Sequence, residues 1–251
     1  MFGDSGTCGF GAFAEYVAVP ESVLAQKPAN ILFEEAAAAV QAAKVALQAL
    51  RDTDRIQKGQ KVLVYGASGG IGSFAVQIAK AFEADVTAVC STRNVKLARS
   101  LGADRVIDYT KEDFLKNGQR FDLILATAGY RSIFEFKRVL SPTGNYVATG
   151  GSMAGPKAMA QIFQAMLLGP LLSLTGRKKL VAMELSPSQN DLLVMKELLG
   201  SGQVKPVLDR GYALCDAAEA LSYYSEGHTR GKVVISMVPS TKNLTNTEES
   251  I

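Results

Sequence analysis

Four glycines fall within seven residues in GASGGIG, at Gly66, Gly69, Gly70 and Gly72, between the β-rich run KVLVYG and the helical pattern GSFAVQIAKAF. A strand that turns directly into a helix through such a cluster has few architectures open to it. The first glycine permits a tight turn, a middle one lets the backbone approach a ligand, and the last lets helix and strand pack closely. The unpaired amides of the following helix, aided by its dipole, then favour an anionic group, and a diphosphate is the expected occupant. Gly66, Gly69 and Gly72 satisfy G-x-x-G-x-x-G, while Gly66, Gly70 and Gly72 satisfy G-x-x-x-G-x-G, so the turn alone leaves two dinucleotide fingerprints open. A Walker loop is excluded, because no G-x-x-x-x-G-K-[ST] occurs.

The residues beyond continue the rhythm. DVTAVC, RVIDY, FDLILATAG and NYVATGG are expected as strands. NVKLARSLG, ended by Gly102, and SIFEFKRVLSPTG, closed by Pro142 and Gly144, are expected as helices. Alternating strands and helices imply an α/β fold: a doubly wound parallel sheet covered on both faces, with right-handed crossovers. The flanks differ. GAFAEYVAVPESVLAQKP is expected as irregular β-strands, and FEEAAAAVQAAKVALQAL as a helix. SQNDLLVMKELLGSG is expected as an amphipathic helix, followed by a strand, a helix with Asp216 as its N-cap, and a final strand in RGKVVISM.

The second strand predicts the coenzyme. A cofactor without a 2′-phosphate meets Asp or Glu there, about 20 residues after the glycines. This chain has Cys90, Ser91, Thr92 and Arg93 instead, with Asp85 at the wrong end of the strand. Hydroxyls and a guanidinium suit a 2′-phosphate, so the expected cofactor is NADP(H).

Composition narrows the class. The chain has 251 residues, 27 Lys and Arg against 24 Asp and Glu, and no basic run long enough for a nucleic-acid groove. Three widely spaced cysteines and one histidine build neither a disulfide framework nor a zinc set, so no metal site is expected and a reducing, cytoplasmic setting is. The segment Ala158–Leu174 is interrupted by Gln161, Gln164 and Pro170, so no membrane span is expected. The polar stretch 240–251 is expected to be a disordered tail.

A short-chain dehydrogenase needs Lys four residues after its catalytic Tyr, and none of the eight tyrosines has one. About sixty residues also precede the glycine turn, where a short-chain enzyme would begin near it. By contrast GAFAEYVAVPE, GASGGIGSFAVQIAK, STRNVKLARSLGADRVIDYTKEDF and RGKVVI, in this order, resemble the medium-chain dehydrogenase/reductase superfamily. The nearest branch is the zinc-independent, quinone oxidoreductase-like NADPH enzymes, and the resemblance runs from about Phe10 to Met237. It implies a Rossmann domain inserted in a GroES-like catalytic domain of the enoyl reductase type. The expected division is 1–43 as part of the GroES-like domain, 44–185 as the NADP(H)-binding Rossmann domain, 186–239 as the return to the catalytic domain, and the tail. The family's opening β-strands have no counterpart here, so the GroES-like portion is expected to be partial.

The resemblance also implies cofactor contacts at Ser68, Gly70, Ile71 and Ser91, at Tyr109 stacking near the adenine or touching its phosphate, and at Gly129 after the fourth strand. It further implies contacts at His228, Thr229 and Arg230 in a C-terminal loop. Together with Gly66, Gly69, Gly72 and Arg93 these form the expected cofactor set; no residue stands out as a proton donor. Val45 and Ala43 replace a Thr and a Gly of the family pattern, and Val45 has no hydroxyl for a carboxamide. The implied reaction is hydride transfer from NADPH to a quinone, enone or other activated carbonyl, in a homodimer joined through the Rossmann sheets. The competing expectation is a non-catalytic NADPH-binding module, or a truncated product of such an enzyme.

Overall fold

The computed structural model describes residues 1–9, 11–51, 56–128, 131–149, 164–170, 172–173, 178–183, 185–186 and 188–237. They divide into two compact units: Met1–Lys44 with the chain from Ser186 onward, and Val45–Leu185.

The second unit is built on a six-stranded parallel sheet. Its strands are β3 (Lys61–Tyr65), β4 (Asp85–Cys90), β5 (Arg105–Asp108), β6 (Phe121–Ala126), β7 (Leu140–Ala148) and β8 (Lys179–Ala182). The spatial order is β5-β4-β3-β6-β7-β8. Counted within the sheet this is 3-2-1-4-5-6, the Rossmann order, with its topological switch point between β3 and β6. Val62 and Val64 are fully buried, and their neighbours Leu63 and Tyr65 on the opposite face are buried too, a pattern required when helices cover both sides.

The helix α2 (Gly70–Ala81) supplies one cover, and α3 (Val95–Ser100) follows β4. Phe74 and Ile78, four residues apart, are fully buried along α2. On the other face α4 (Ile133–Val139) joins an apolar core in which Phe136 stacks on Tyr146 at 5.0 Å and meets Tyr65 edge-on at 5.3 Å. A capping box starts α4: Ser132 accepts from Phe134 N–H, and Glu135 accepts from Ser132 N–H at 2.9 Å.

Pro142 and Gly144 do not close this helix. It ends at Val139, and both residues lie within β7, where the register jumps from Phe121↔Leu140 to Leu123↔Asn145. The extra residues form a bulge, a place that accommodates proline in a strand. A Cβ on Gly144 would come within 2.7 Å of the Phe121 carbonyl oxygen, so the bulge needs glycine there.

In the first unit, β1 (Phe2–Gly3) pairs antiparallel with β2 (Leu24–Ala25); α1 (Phe33–Arg51) follows, its residues up to Lys44 in this unit and those from Val45 in the second. Further along stand α5 (Gln189–Gly200), β9 (Leu208–Ala213), α6 (Ala217–Ser225) and β10 (Lys232–Ser236), with β9 and β10 parallel. Asp216 occupies the N-cap position of α6 but makes no capping bond. Its backbone (φ −99°, ψ 14°) continues a preceding 3₁₀ turn instead of adopting the extended form that aims a cap side chain. The expected strands between Gly11 and Pro20 are not formed: the stretch is bends and irregular backbone, and Tyr16 is 90% exposed. Among the described residues no strand pairs with it, and an extended segment without a ladder partner does not persist as a strand. The expected tail, 240–251, lies outside the described residues. Among those described, no helix is long and apolar enough to cross a membrane.

Candidate functional site

The glycine turn leaves the C-terminal end of β3 at the switch point of the sheet. Gly66 has φ +88°, a left-handed conformation that glycine adopts freely. Its N–H and that of Ala67 both donate to the Val89 carbonyl at 3.1 Å, tying the turn to β4. Gly69 is the N-cap of α2, and Ser73 N–H donates to its carbonyl at 2.9 Å. The amides of Gly70, Ile71 and Gly72 precede that first helical bond and therefore lack a helical acceptor. A Cβ on Gly72 would lie 2.1 Å from Gly66 O, and one on Gly66 would lie 2.6 Å from Thr127 Oγ1. The turn is thus closed tightly on its own backbone and on β6.

Thr127, just after β6, holds the turn from that side. Its hydroxyl lies 3.0 Å from Tyr65 O and 3.1 Å from Gly66 O, and its N–H donates to Tyr65 O at 2.9 Å. Across the turn, Asn94 is buried and its Nδ2 donates to Ser68 Oγ at 2.8 Å and to Ser91 Oγ at 3.2 Å. Its Oδ1 is buried without a hydrogen-bond partner. Sequence reasoning missed both residues. Thr127 stands in the ATAG run and Asn94 in STRN, but each acts on a turn 26 or more residues away in sequence.

The structure therefore joins Gly66, Ser68, Gly69, Gly70, Ile71, Gly72 and Ser91 into one patch. Arg93 is exposed in the 3₁₀ turn Thr92–Asn94. Tyr109 is 54% exposed at the end of β5, its N–H donating to Cys90 O at 3.0 Å. Gly129 lies outside the described residues. His228, Thr229 and Arg230 belong to the first unit, where Arg230 N–H donates to the buried Asp209, which also accepts from Tyr223 Oη at 2.7 Å.

Thr92 differs from expectation. Its hydroxyl donates to Asp108 Oδ2 at 2.6 Å, so it has no hydrogen left for a phosphate. That bond, with further donors from Thr110, holds the Asp108 carboxyl below the usual carboxylate range despite its burial. Burial pushes the Cys90 thiol up to about 11, which keeps it protonated and unreactive at neutral pH. Among the described residues no group of three His, Cys, Asp or Glu gathers as a metal set.

The zinc-binding dehydrogenase family profile matches residues 101–235. The chain is 33% identical over 236 residues to a chloroplast envelope quinone oxidoreductase homolog of Arabidopsis thaliana, covering 90% of this chain and 69% of that protein. It is 34% identical over 235 residues to an NADPH-dependent alkenal/one oxidoreductase, chloroplastic, of the same organism, covering 92% and 54%. Among solved structures, an NAD-dependent alcohol dehydrogenase superposes with a TM-score of 0.77 at 28% identity, covering 91% of this chain and 66% of that one. The chain spans between about half and two thirds of the length of these proteins.

Proposed function

As the chain belongs to the quinone oxidoreductase-like branch of the medium-chain dehydrogenase/reductase superfamily, we propose that it is an NADPH-dependent oxidoreductase reducing a quinone, enone or similarly activated carbonyl without zinc. The observation that carries this reading is the tight Gly66–Gly72 turn at the switch point of a Rossmann-ordered sheet. Open α/β sheets bind ligands in the crevice at that point, and the first-turn amides of α2 suit a diphosphate. The orphaned Oδ1 of Asn94 beside the turn fits a site that a ligand completes.

The nicotinamide supplies the hydride when bound, and the protein supplies position and polarity. Gly70, Ile71 and Gly72 offer amides to the diphosphate, and Ser68 offers a hydroxyl. Ser91 and Arg93 are assigned to the 2′-phosphate, Thr92 being committed to Asp108. In their names one relative uses NADPH and one structural neighbour NAD, so the preference rests on these two side chains. Under this reading residues 44–185 are the coenzyme-binding domain, and 1–43 with 186–239 belong to the catalytic domain. His228, Thr229 and Arg230 remain assigned to the coenzyme by resemblance alone. Among the described residues β8 is the outer strand on that side of the sheet, and we assign it as the edge along which two copies pair; sedimentation measures whether they do. Cys8, Cys90 and Cys215, none of them in a disulfide, support a reducing compartment such as the cytoplasm.

The test measures binding by NADPH fluorescence and oxidation of NADPH against a panel of quinones and enones. Binding with turnover supports the proposal; binding without turnover supports a non-catalytic module. Arg93→Ala should raise the Kd for NADPH by about tenfold or more, the worth of a charge-assisted bond, and leave that for NADH nearly unchanged. Equal effects on both coenzymes would refute the 2′-phosphate assignment.

A further inference from the structure

Asn94 links two side chains from different segments: Ser68 in the glycine turn after β3, and Ser91 at the end of β4, segments already tied through the backbone by Gly66 and Ala67 N–H to Val89 O. It is only 5% exposed, and both serines are half-buried. An amide NH2 carries two hydrogens and no lone pair, so toward the serines it acts only as a donor. Each serine oxygen therefore accepts from Asn94, and each hydroxyl keeps its own hydrogen for an acceptor elsewhere. The arrangement costs the protein a buried, partnerless carbonyl at Asn94 Oδ1. Orphans of this kind are rare, and they are retained where the group serves something besides stability.

We propose that Asn94 is a positioning residue that turns Ser68 and Ser91 into outward hydrogen-bond donors for two phosphates of one dinucleotide. Ser68 faces the diphosphate at the start of α2, and Ser91 faces the 2′-phosphate. The proposal rests on the NADP(H) reading above and adds the residue that sets its hydroxyl polarity. One amide holds both donors, so losing it weakens two phosphate contacts with NADPH but only one with NADH. A simple structural brace has no such asymmetry.

Calorimetry of NADPH and NADH binding, with the melting temperature of the free protein, tests this in the full chain. Asn94→Leu keeps the branched heavy-atom shape and removes the donor. It should raise the NADPH Kd by about tenfold or more and the NADH Kd by a smaller factor, as two hydrogen bonds against one require. Asn94→Asp keeps the shape and reverses the polarity, drawing both hydroxyl hydrogens inward, and serves if the leucine variant does not fold. Its loss of NADPH affinity should persist at high salt, where plain charge repulsion is screened. Wild-type protein that binds NADPH, with variants that bind it within about twofold or lose both coenzymes equally, overturns the role of Asn94 and leaves the coenzyme reading standing. Tighter NADPH binding by Asn94→Asp would show that the serines donate inward, and also overturns it. Wild-type protein that binds neither coenzyme removes the NADP(H) reading and this inference together.

Discussion

Gly72 and Gly69 stand three residues apart in one turn and face different surroundings. A Cβ at Gly72 would sit 2.1 Å from Gly66 O and 2.8 Å from Ala67 Cα, both backbone atoms that cannot move without parting α2 from β3. At Gly69 the nearest atom would be 3.5 Å away, and its φ of −79° is open to any residue. Gly72→Ala should therefore cost about 1–3 kcal/mol, the range for overpacking a close contact. Gly69→Ala should cost less than about 1 kcal/mol, through the weaker N-cap alone. Urea denaturation of the two variants measures the difference. Asp108 makes a second prediction at this scale. Thr92 above all, then Thr110, lower its folded pKa, so its ionised form contributes stability that is present above the unfolded value and lost as pH falls through the folded one. Asp108→Asn should thus flatten the fall in stability below about pH 4, near the ordinary carboxylate pKa, and leave the slope between pH 6 and 8 unchanged. Denaturation midpoints at stepped pH would show it; a slope like that of the wild type would remove Asp108 from the acid response.

Between elements, the ion pair from α1 to the segment after β1 is the most exacting contact. Lys44 is 3% exposed on α1, and its Nζ lies 2.7 Å from Asp4 Oδ2. Burial raises the Asp4 carboxyl, but the Lys44 bond and the Gly6 N–H outweigh it and hold it below its usual value. Removing one partner strands the other, so Asp4→Ala should cost about 3–5 kcal/mol, while the apolar pair Asp4→Leu with Lys44→Met should come out near neutral. A double-mutant cycle in urea reads both. The same contact shows what the sequence hides. The alternation of apolar runs exposes the parallel sheet, since period and length are local properties. Lys44 in an alanine-rich helix carries no sign that Asp4, forty residues earlier, receives it. Asn94 and Thr127 escape notice for the same reason. Pro142 and Gly144 mislead for the opposite one: local turn chemistry is legible, but whether it ends a helix or bulges a strand depends on Phe121, across the sheet.

For the whole chain, the division at Lys44/Val45 and Leu185/Ser186 places every described residue of the glycine patch in the unit that contains the six-stranded sheet. The patch is assembled from the ends of β3, β4 and β6, so it exists only while that sheet is folded. A ligand bound there acts on the folded form alone, and the stabilisation follows mass action as RT ln(1 + [L]/Kd). At a hundred times its Kd, NADPH should add about 2.7 kcal/mol. Amides of Val62–Tyr65 and Val86–Cys90, buried in the sheet, should exchange by unfolding of this unit and slow by the same factor, about a hundredfold. Hydrogen exchange with and without saturating NADPH measures this directly. NADH at the same concentration should slow them less, in proportion to its weaker affinity. Strand amides that exchange at one rate with and without coenzyme, in protein that calorimetry shows to be saturated, would mean that the coenzyme is held somewhere that does not require the sheet.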